Sequence, residues 1–210
     1  MTPDANRRRT LILLGGAIAA PLVPTPALAD DRPPTPRMTE GPFYPRSFPA
    51  DTDADLTRVV GRNAPAAGTV LDVSGRVLDR RGAPVGGVRV EIWQCDNAGY
   101  YHHVGDMQPA GDPGFQGFGA MTVDAEGRYR FRTIRPVPYS GRTGHIHFLV
   151  QQGGKRRLVS QMFVEGEAGN ESDFIFRSLR ADARLVTMKL EDAPKDSGAK
   201  LRGMFDIVLA

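Results

Sequence analysis

Short runs in which apolar and polar residues alternate fill the chain from about residue 69 onward. In one run Val88, Val90 and Ile92 share one phase, and charged residues occupy the positions between them. A period of two is typical of β-strands with one buried face. Similar runs occupy residues 70–79, 121–123, 128–134, 145–151, 158–164 and 204–209. Because Gly, Pro and Asp turns separate the runs, the pattern predicts an all-β protein, an antiparallel β-sandwich with long loops and little helix.

The residues before this region lack a regular pattern. Residues 30–37 are rich in proline, and residues 50–68 are mostly small or polar. We therefore expect an extended N-terminal arm over residues 30–68, followed by one β-sandwich domain over residues 69–210. The best helix candidate is short and lies at residues 172–180.

The first 29 residues have the features of an export signal. Three arginines precede the apolar residues 11–20, and Ala27-Leu28-Ala29 has the small-x-small form of a cleavage site. Arg8-Arg9 followed by Thr-Leu-Ile also resembles the twin-arginine pattern, with an ordinary secretion signal as the alternative. We predict a signal peptide over residues 1–29 and a periplasmic or extracellular mature chain with no integral membrane segment.

Charge and cysteine content exclude some functions. Removing residues 1–29 takes away three arginines and one aspartate, so the formal net charge falls from +3 to +1. A nearly neutral chain without a basic cluster beside aromatic residues gives no support for nucleic acid binding. The single cysteine, Cys95, excludes an intrachain disulfide and is expected to be a small buried residue.

The four histidines fall in two short stretches that also contain tyrosine, residues 99–103 and 139–147. His145 and His147 are two residues apart, so on a strand they point to the same face and could bind one metal ion. Tyr139 precedes them across a turn-forming Ser-Gly pair. A phenolate oxygen beside two imidazoles favours a hard, highly charged cation, and Fe(III) fits better than Zn(II) or Cu(I).

Charge balance predicts a second tyrosine ligand. A buried Fe(III) with neutral ligands would keep three uncompensated charges, whereas two tyrosinates and one hydroxide would make the site neutral. The other cluster offers Tyr100 or Tyr101 for this role. His102 and His103 follow directly, but neighbours on a strand face opposite ways, so we expect both outside the ligand set.

Five segments of the chain resemble the intradiol ring-cleavage dioxygenases, and they are closer to the protocatechuate type than to the catechol type. These segments are residues 39–44, 87–101, 135–148, 160–163 and 205–209. The resemblance implies an Fe(III) ion held by Tyr101, Tyr139, His145 and His147, because Tyr101 rather than Tyr100 matches the family position eight residues beyond Trp93. It also implies a small aromatic 1,2-diol and O2 as substrates, and a cis,cis-muconate-type diacid as product.

The resemblance also assigns roles beside the metal. Tyr139 would leave the ion when the diol binds and take up a proton, Arg142 would stabilise charge developing on the ring, and Gln161 would lie near substrate and histidine. The chain departs from the family pattern at Val137, Ser140 and Thr143-Gly144. These departures lie beside the expected substrate pocket, so the identity of the diol stays open.

A different class of function remains possible at this stage. The residues 75–90 also match noncatalytic transthyretin-like sandwiches, which could bind a metal ion, carbohydrate or a partner without turnover. The tyrosine pair with Arg142 favours the enzyme. We expect a homo-oligomer, with the number of chains and any second subunit open.

Overall fold

The computed structural model describes residues 31–102 and 111–210. The predicted signal peptide and His103 lie outside these residues. Within the described ranges, ten strands form two five-stranded sheets, which confirms the predicted all-β sandwich. The strands are β1 Val70–Leu78, β2 Arg89–Trp93, β3 Phe118–Thr122, β4 Arg128–Ile134, β5 His145–Gln152, β6 Lys155–Val164, β7 Thr187–Met188, β8 Leu190–Asp192, β9 Leu201–Met204 and β10 Ile207–Val208.

The first sheet is built around β1. Strand β4 pairs with β1 antiparallel, while β9 and β10 pair with successive parts of β1 in parallel, and β8 pairs with β9. The second sheet has the order β3-β2-β5-β6-β7, antiparallel except for the parallel pair β6–β7. The three parallel pairs differ from the purely antiparallel expectation, and they arise because the last short strands return to strand edges left unpaired.

The core lies between the two sheets and follows the predicted alternation. Val73 and Phe131 from the first sheet, with Ile92, Phe148 and Met162 from the second, are at most 1% exposed. The arginines of β4 occupy the opposite phase of their strand, as expected. Two of them bind the buried carboxylate of Asp72.

Helix is scarce. A short helix, α1 Phe174–Ser178, lies within the predicted range, and 3₁₀ helices flank it at Ala168–Glu171 and Arg180–Val186. Asp173 caps α1 by accepting hydrogen bonds from the backbone N–H groups of Ile175 and Phe176. No helix of the described residues is long and apolar enough to cross a membrane.

The N-terminal arm contains no long strand, yet it packs along the sandwich. Thr35 donates its backbone N–H to Val208, and Met38 donates to the carbonyl of Val159 on β6. Leu56, farther along the arm, is fully buried in the core. This docking brings residues 39–44 to the end of the second sheet where His145 and His147 begin β5.

Candidate metal centre

Strand β5 places His145 and His147 side by side at one end of the second sheet. Both are 1% exposed, and their Nε2 atoms are 3.1 Å apart. The Nδ1 atom of His145 lies 2.6 Å from the carbonyl oxygen of Thr143. Because a carbonyl can only accept, Nδ1 of His145 carries the proton and Nε2 presents its lone pair. The two imidazoles therefore meet through the nitrogens that a metal ion would use.

Two tyrosines close around the histidine pair. The rings of Tyr101 and Tyr139 have centroids 5.1 Å apart. Tyr139 lies 5.5 Å from His145, and Tyr101 lies 6.2 Å from His147, measured between ring centroids. The structure thus brings together Tyr101, Tyr139 and the two histidines, as the sequence predicts. Tyr100 is only partly buried, and its backbone is held by Asp96.

A tight turn holds Tyr139 against Arg142. The backbone groups of these two residues exchange N–H···O bonds of 3.2 and 2.8 Å. The two residues between them, Ser140 and Gly141, have φ angles of 44° and 77°. Positive φ at both central positions is typical of the type I′ turn, which joins closely paired strands. A cavity of about 310 Å³ opens beside this turn, between residues 138–143 and Gly169 and Ser172.

Burial keeps the side chains of the two histidines and the two tyrosines uncharged. It lowers the pKa of His145 to about 4, with a further contribution from the Arg142 charge, and it lowers the pKa of His147 well below its ordinary value. Burial, and then the neighbouring Tyr139, raise the pKa of Tyr101 well above 10. Burial also raises the pKa of Tyr139. Hence both imidazoles are neutral and ready to bind a metal, whereas the phenols need a cation to ionise.

The donor set fits a hard cation that accepts oxygen and nitrogen. Among the described residues, no three His, Cys, Asp or Glu side chains come together as a metal site. The two phenols beside the histidine pair supply oxygen donors. The Nε2 atoms are 3.1 Å apart, close enough for one ion to contact both nitrogens at the bond length of about 2.1 Å that is typical of histidine–metal bonds.

Arg142 is fixed beside the four rings. Its Nε donates to Oδ2 of Asp173 at 2.7 Å, and its Nη2 donates to Oε1 of Gln161 at 2.8 Å. Gln161 pairs with His147 in the β5–β6 register, and its Nε2 donates to the carbonyl of Thr39. The structure therefore places both sequence-predicted residues at the site. Sequence reasoning missed Asp173, whose only sequence signal is an acid before a short apolar run, typical of a helix cap.

Aromatic residues stack on two of the candidate ligands, Tyr101 and His147. Phe43 stacks on Tyr101 with centroids 4.2 Å apart and planes 5° from parallel. Trp93 stacks on His147 at 5.0 Å, and Tyr44 contacts Trp93 edge-on. Phe43 forms a wall of the site, whereas Tyr44 packs behind Trp93 and donates its hydroxyl to Glu91.

The other candidate residues lie outside this convergence. Nε2 of His102 is 3.1 Å from Oδ2 of Asp96, and its ring meets Phe115 edge-on. Cys95 is buried with Trp93 and Tyr101, in agreement with the expected packing role.

Comparisons with known proteins match a large part of this chain. The family model described as dioxygenase matches residues 39–210. The beta chain of protocatechuate 3,4-dioxygenase from Burkholderia cepacia is 39% identical over 179 residues, covering 80% of this chain and 76% of that protein. Catechol 1,2-dioxygenase 2 from Acinetobacter lwoffii is 34% identical over 161 residues, covering 68% of this chain and 55% of that protein. Relative to such catechol relatives, the chain spans about half their length.

Solved structures show the same arrangement of strands. The dioxygenase domain of a carbohydrate-binding fusion protein from Streptomyces sp. SirexAA-E matches with a TM-score of 0.66 and 31% identity, over 84% of this chain and 98% of that chain. An intradiol ring-cleavage dioxygenase from Tetranychus urticae matches with a TM-score of 0.68 over 84% of this chain and 94% of that chain, at 21% identity. The second likeness concerns the fold alone.

Proposed function

Because the chain belongs to the intradiol ring-cleavage dioxygenases, we propose that it holds one Fe(III) ion through Tyr101, Tyr139, His145 and His147. We further propose that it opens the ring of an aromatic 1,2-diol with O2 to give a cis,cis-muconate-type diacid. The observation that carries the proposal is the meeting of two buried, neutral imidazoles, with Nε2 atoms 3.1 Å apart, and two phenols in one pocket.

The protein's own groups divide the work around this site. When bound, Fe(III) supplies the positive charge that keeps both phenols ionised and draws electron density from a coordinated diol. Tyr101 is 3% exposed and stacked on Phe43, so its ring is fixed. Tyr139 is only partly buried and adjoins the cavity at the turn, so it is the phenol that can move and take a proton on its oxygen.

Arg142 provides a permanent positive charge next to the diol. A guanidinium keeps its proton at any working pH, so Arg142 stabilises negative charge and does not act as a base. Gln161 accepts from Arg142 and donates to Thr39, so its role is to hold the arginine and the arm in place. We therefore assign Tyr139 to proton transfer, Arg142 to charge stabilisation and Gln161 to positioning.

The substrate is proposed at the level of a class. Curated relatives are named for protocatechuate, catechol and hydroxyquinol. The relative with 39% identity and 76% coverage favours a protocatechuate-like diol. Oxygen uptake across a panel of dihydroxybenzenes would identify it, and a panel without any turnover would contradict the enzymatic proposal.

Iron binding has its own test with a matched control. Tyrosinate-to-Fe(III) charge transfer should make the iron-loaded protein red-brown, and Tyr101→Phe should remove most of the absorption and lower iron content. Tyr129→Phe is the control, since Tyr129 is equally buried but donates to the carbonyl of Phe205 in the core. A colourless wild-type protein from iron-rich culture, or equal loss in both variants, would contradict the ligand assignment.

Export and assembly are further parts of the proposal. We propose that residues 1–29 direct the chain to the periplasm or beyond by the twin-arginine route, since Arg8-Arg9 precedes an apolar run. Replacement of both arginines by lysine should then retain the full-length precursor in the cytoplasm. We also propose a homo-oligomer, which light scattering of the mature chain would test.

A further inference from the structure

The carboxylate of Asp173 joins two structures that are distant in sequence. It is fully buried and accepts four hydrogen bonds, divided between its two oxygens. Oδ1 accepts from the backbone N–H groups of Ile175 and Phe176, each at 2.9 Å. Oδ2 accepts from Nε of Arg142 at 2.7 Å and from the backbone N–H of Thr143 at 3.0 Å. One oxygen thus caps α1, and the other holds the segment that leads into β5.

Arg142 is held at two separate points of its guanidinium group. Nε is bound by Asp173 and Nη2 by Gln161, and the side chain is 10% exposed. Two partners on different nitrogens fix the plane of the group as well as its position. The Phe174 ring adds a third contact, 5.8 Å from Cζ of Arg142. Removing the Asp173 bond would leave a long, flexible side chain attached at one nitrogen only.

The charge of Asp173 is maintained in the folded protein. Burial alone would raise the pKa of this carboxyl, but hydrogen bonds from Phe176, Arg142 and Thr143 outweigh burial and lower it. The Asp173 carboxylate therefore stays ionised at neutral pH. A buried charge pair with its hydrogen bonds made is costly to break on one side, so the contact resists rearrangement.

We propose that Asp173 is a positioning residue that acts through Arg142, orienting the guanidinium toward the diol and the charge that develops on its ring. This inference rests on the proposed function, because it assigns Asp173 a role in that same reaction. Asp173 contacts Arg142 rather than any of the four proposed metal ligands, so its effect should appear in turnover and not in iron binding.

Because the two oxygens of Asp173 have different partners, a substitution can keep the cap of α1 while removing the contact with Arg142. Asp173→Asn keeps an oxygen that can cap α1, since asparagine is as good a cap as aspartate. It removes the charge, and its amide nitrogen replaces Oδ2, the acceptor of Arg142 and of the Thr143 backbone N–H. Asp173→Ser also keeps a cap while being too short to reach the guanidinium. Asp124→Asn is the control, because Asp124 likewise accepts a backbone N–H in a turn, from Arg128, away from the site.

The central experiment compares Asp173→Asn in two backgrounds of the iron-loaded protein. Asp173→Asn alone should lower kcat by about 30-fold, which is the size of effect expected when a catalytic group is misplaced. KM should change less, and iron content and colour should stay those of the wild type. In the Arg142→Gln background it should lower kcat by less than about twofold, because the group it positions is gone. Asp173→Ser should follow the same pattern, and Asp124→Asn should equal the wild type.

An independent experiment measures the contact between Arg142 and Asp173 directly. In ¹⁵N-labelled, Ga(III)-loaded protein, the Nε–H signal of Arg142, assigned by its loss in Arg142→Gln, should exchange slowly with water. Asp173→Asn should make that exchange fast. Wild-type turnover in Asp173→Asn, an equal loss in both backgrounds, or an unchanged exchange rate would overturn the positioning role. Lack of iron colour and oxygen uptake in the wild type would instead contradict the proposed function.

Discussion

Replacing Phe43 by alanine tests whether the arm supports the metal centre. Phe43 stacks on Tyr101 at 4.2 Å and meets Tyr139 edge-on at 6.0 Å. Truncating a fully buried phenylalanine costs about 3–5 kcal/mol. Because Phe43 is only partly buried, we expect a loss of about 2 kcal/mol in the free energy of unfolding. About 1 kcal/mol of that loss should come from the ring pairing itself.

Urea unfolding of the full chain measures this loss, and release of iron to a chelator measures its effect on the site. The loosened Tyr101 should release iron several-fold faster in Phe43→Ala. Phe48→Ala is the matched control, since Phe48 belongs to the same arm but is 55% exposed and packs on Phe118. We expect it to cost under about 1 kcal/mol and to leave iron release unchanged. Equal effects of the two substitutions would refute the reasoning.

Three further outcomes follow from contacts elsewhere in the fold. Burial would raise the pKa of the Asp72 carboxyl, but hydrogen bonds from two arginines of β4 lower it below 3.8. The ionised carboxylate therefore stabilises the fold above about pH 4, and this stabilisation is lost as the pH falls through the lowered pKa. In the wild type, the urea concentration at the unfolding midpoint should fall between about pH 5 and pH 2. In Asp72→Asn this decrease should be smaller. His102→Ala should leave iron content intact by metal analysis, because His102 contacts Asp96 rather than the four-ring cluster. Gly75→Ala should cost at least about 3 kcal/mol in thermal unfolding, since its Cβ would lie 1.9 Å from the carbonyl oxygen of Phe205.

The sequence predicts the sandwich well because strand periodicity is a local property. Six of the seven predicted runs contain or overlap one long strand, and the last splits into parts of β9 and β10. The alternation also places His145 and His147 on one face without any knowledge of the fold. The two-residue strands and the parallel pairings were not predictable, because so short a stretch carries no period and its partner is chosen by the whole sheet.

The choice between Tyr100 and Tyr101 cannot be made from the local sequence pattern. Charge balance needs a second phenol but does not say which, and only the family resemblance favours Tyr101. In the structure Asp96 accepts from the backbone N–H of Tyr100 and donates its own N–H to the Tyr100 carbonyl. That loop fixes Tyr100 near the surface and turns the next side chain inward. A side-chain hydrogen bond spanning four residues thus fixes which tyrosine side chain is buried, and periodicity does not describe such local contacts.

Residues brought together from distant parts of the chain were hardest to foresee. Asp173 and Arg142 are 31 positions apart, and nothing in either local sequence specifies the other. The arm poses the same difficulty, since its irregular composition predicts an extended segment but not the place where it docks. Both cases depend on tertiary packing, which overrides the weak local signal.

The docking of the arm and the arrangement of the proposed metal ligands are coupled in this fold. Thr39 accepts from Gln161, a Cβ on Gly41 would lie 3.5 Å from His147, and Phe43 stacks on Tyr101. Residues 39–43 thus contact two proposed ligands and the residue that holds Arg142. The phenols stay protonated until a cation arrives, and the cation needs the phenols in place. Iron binding should therefore draw on the same free energy that packs the arm.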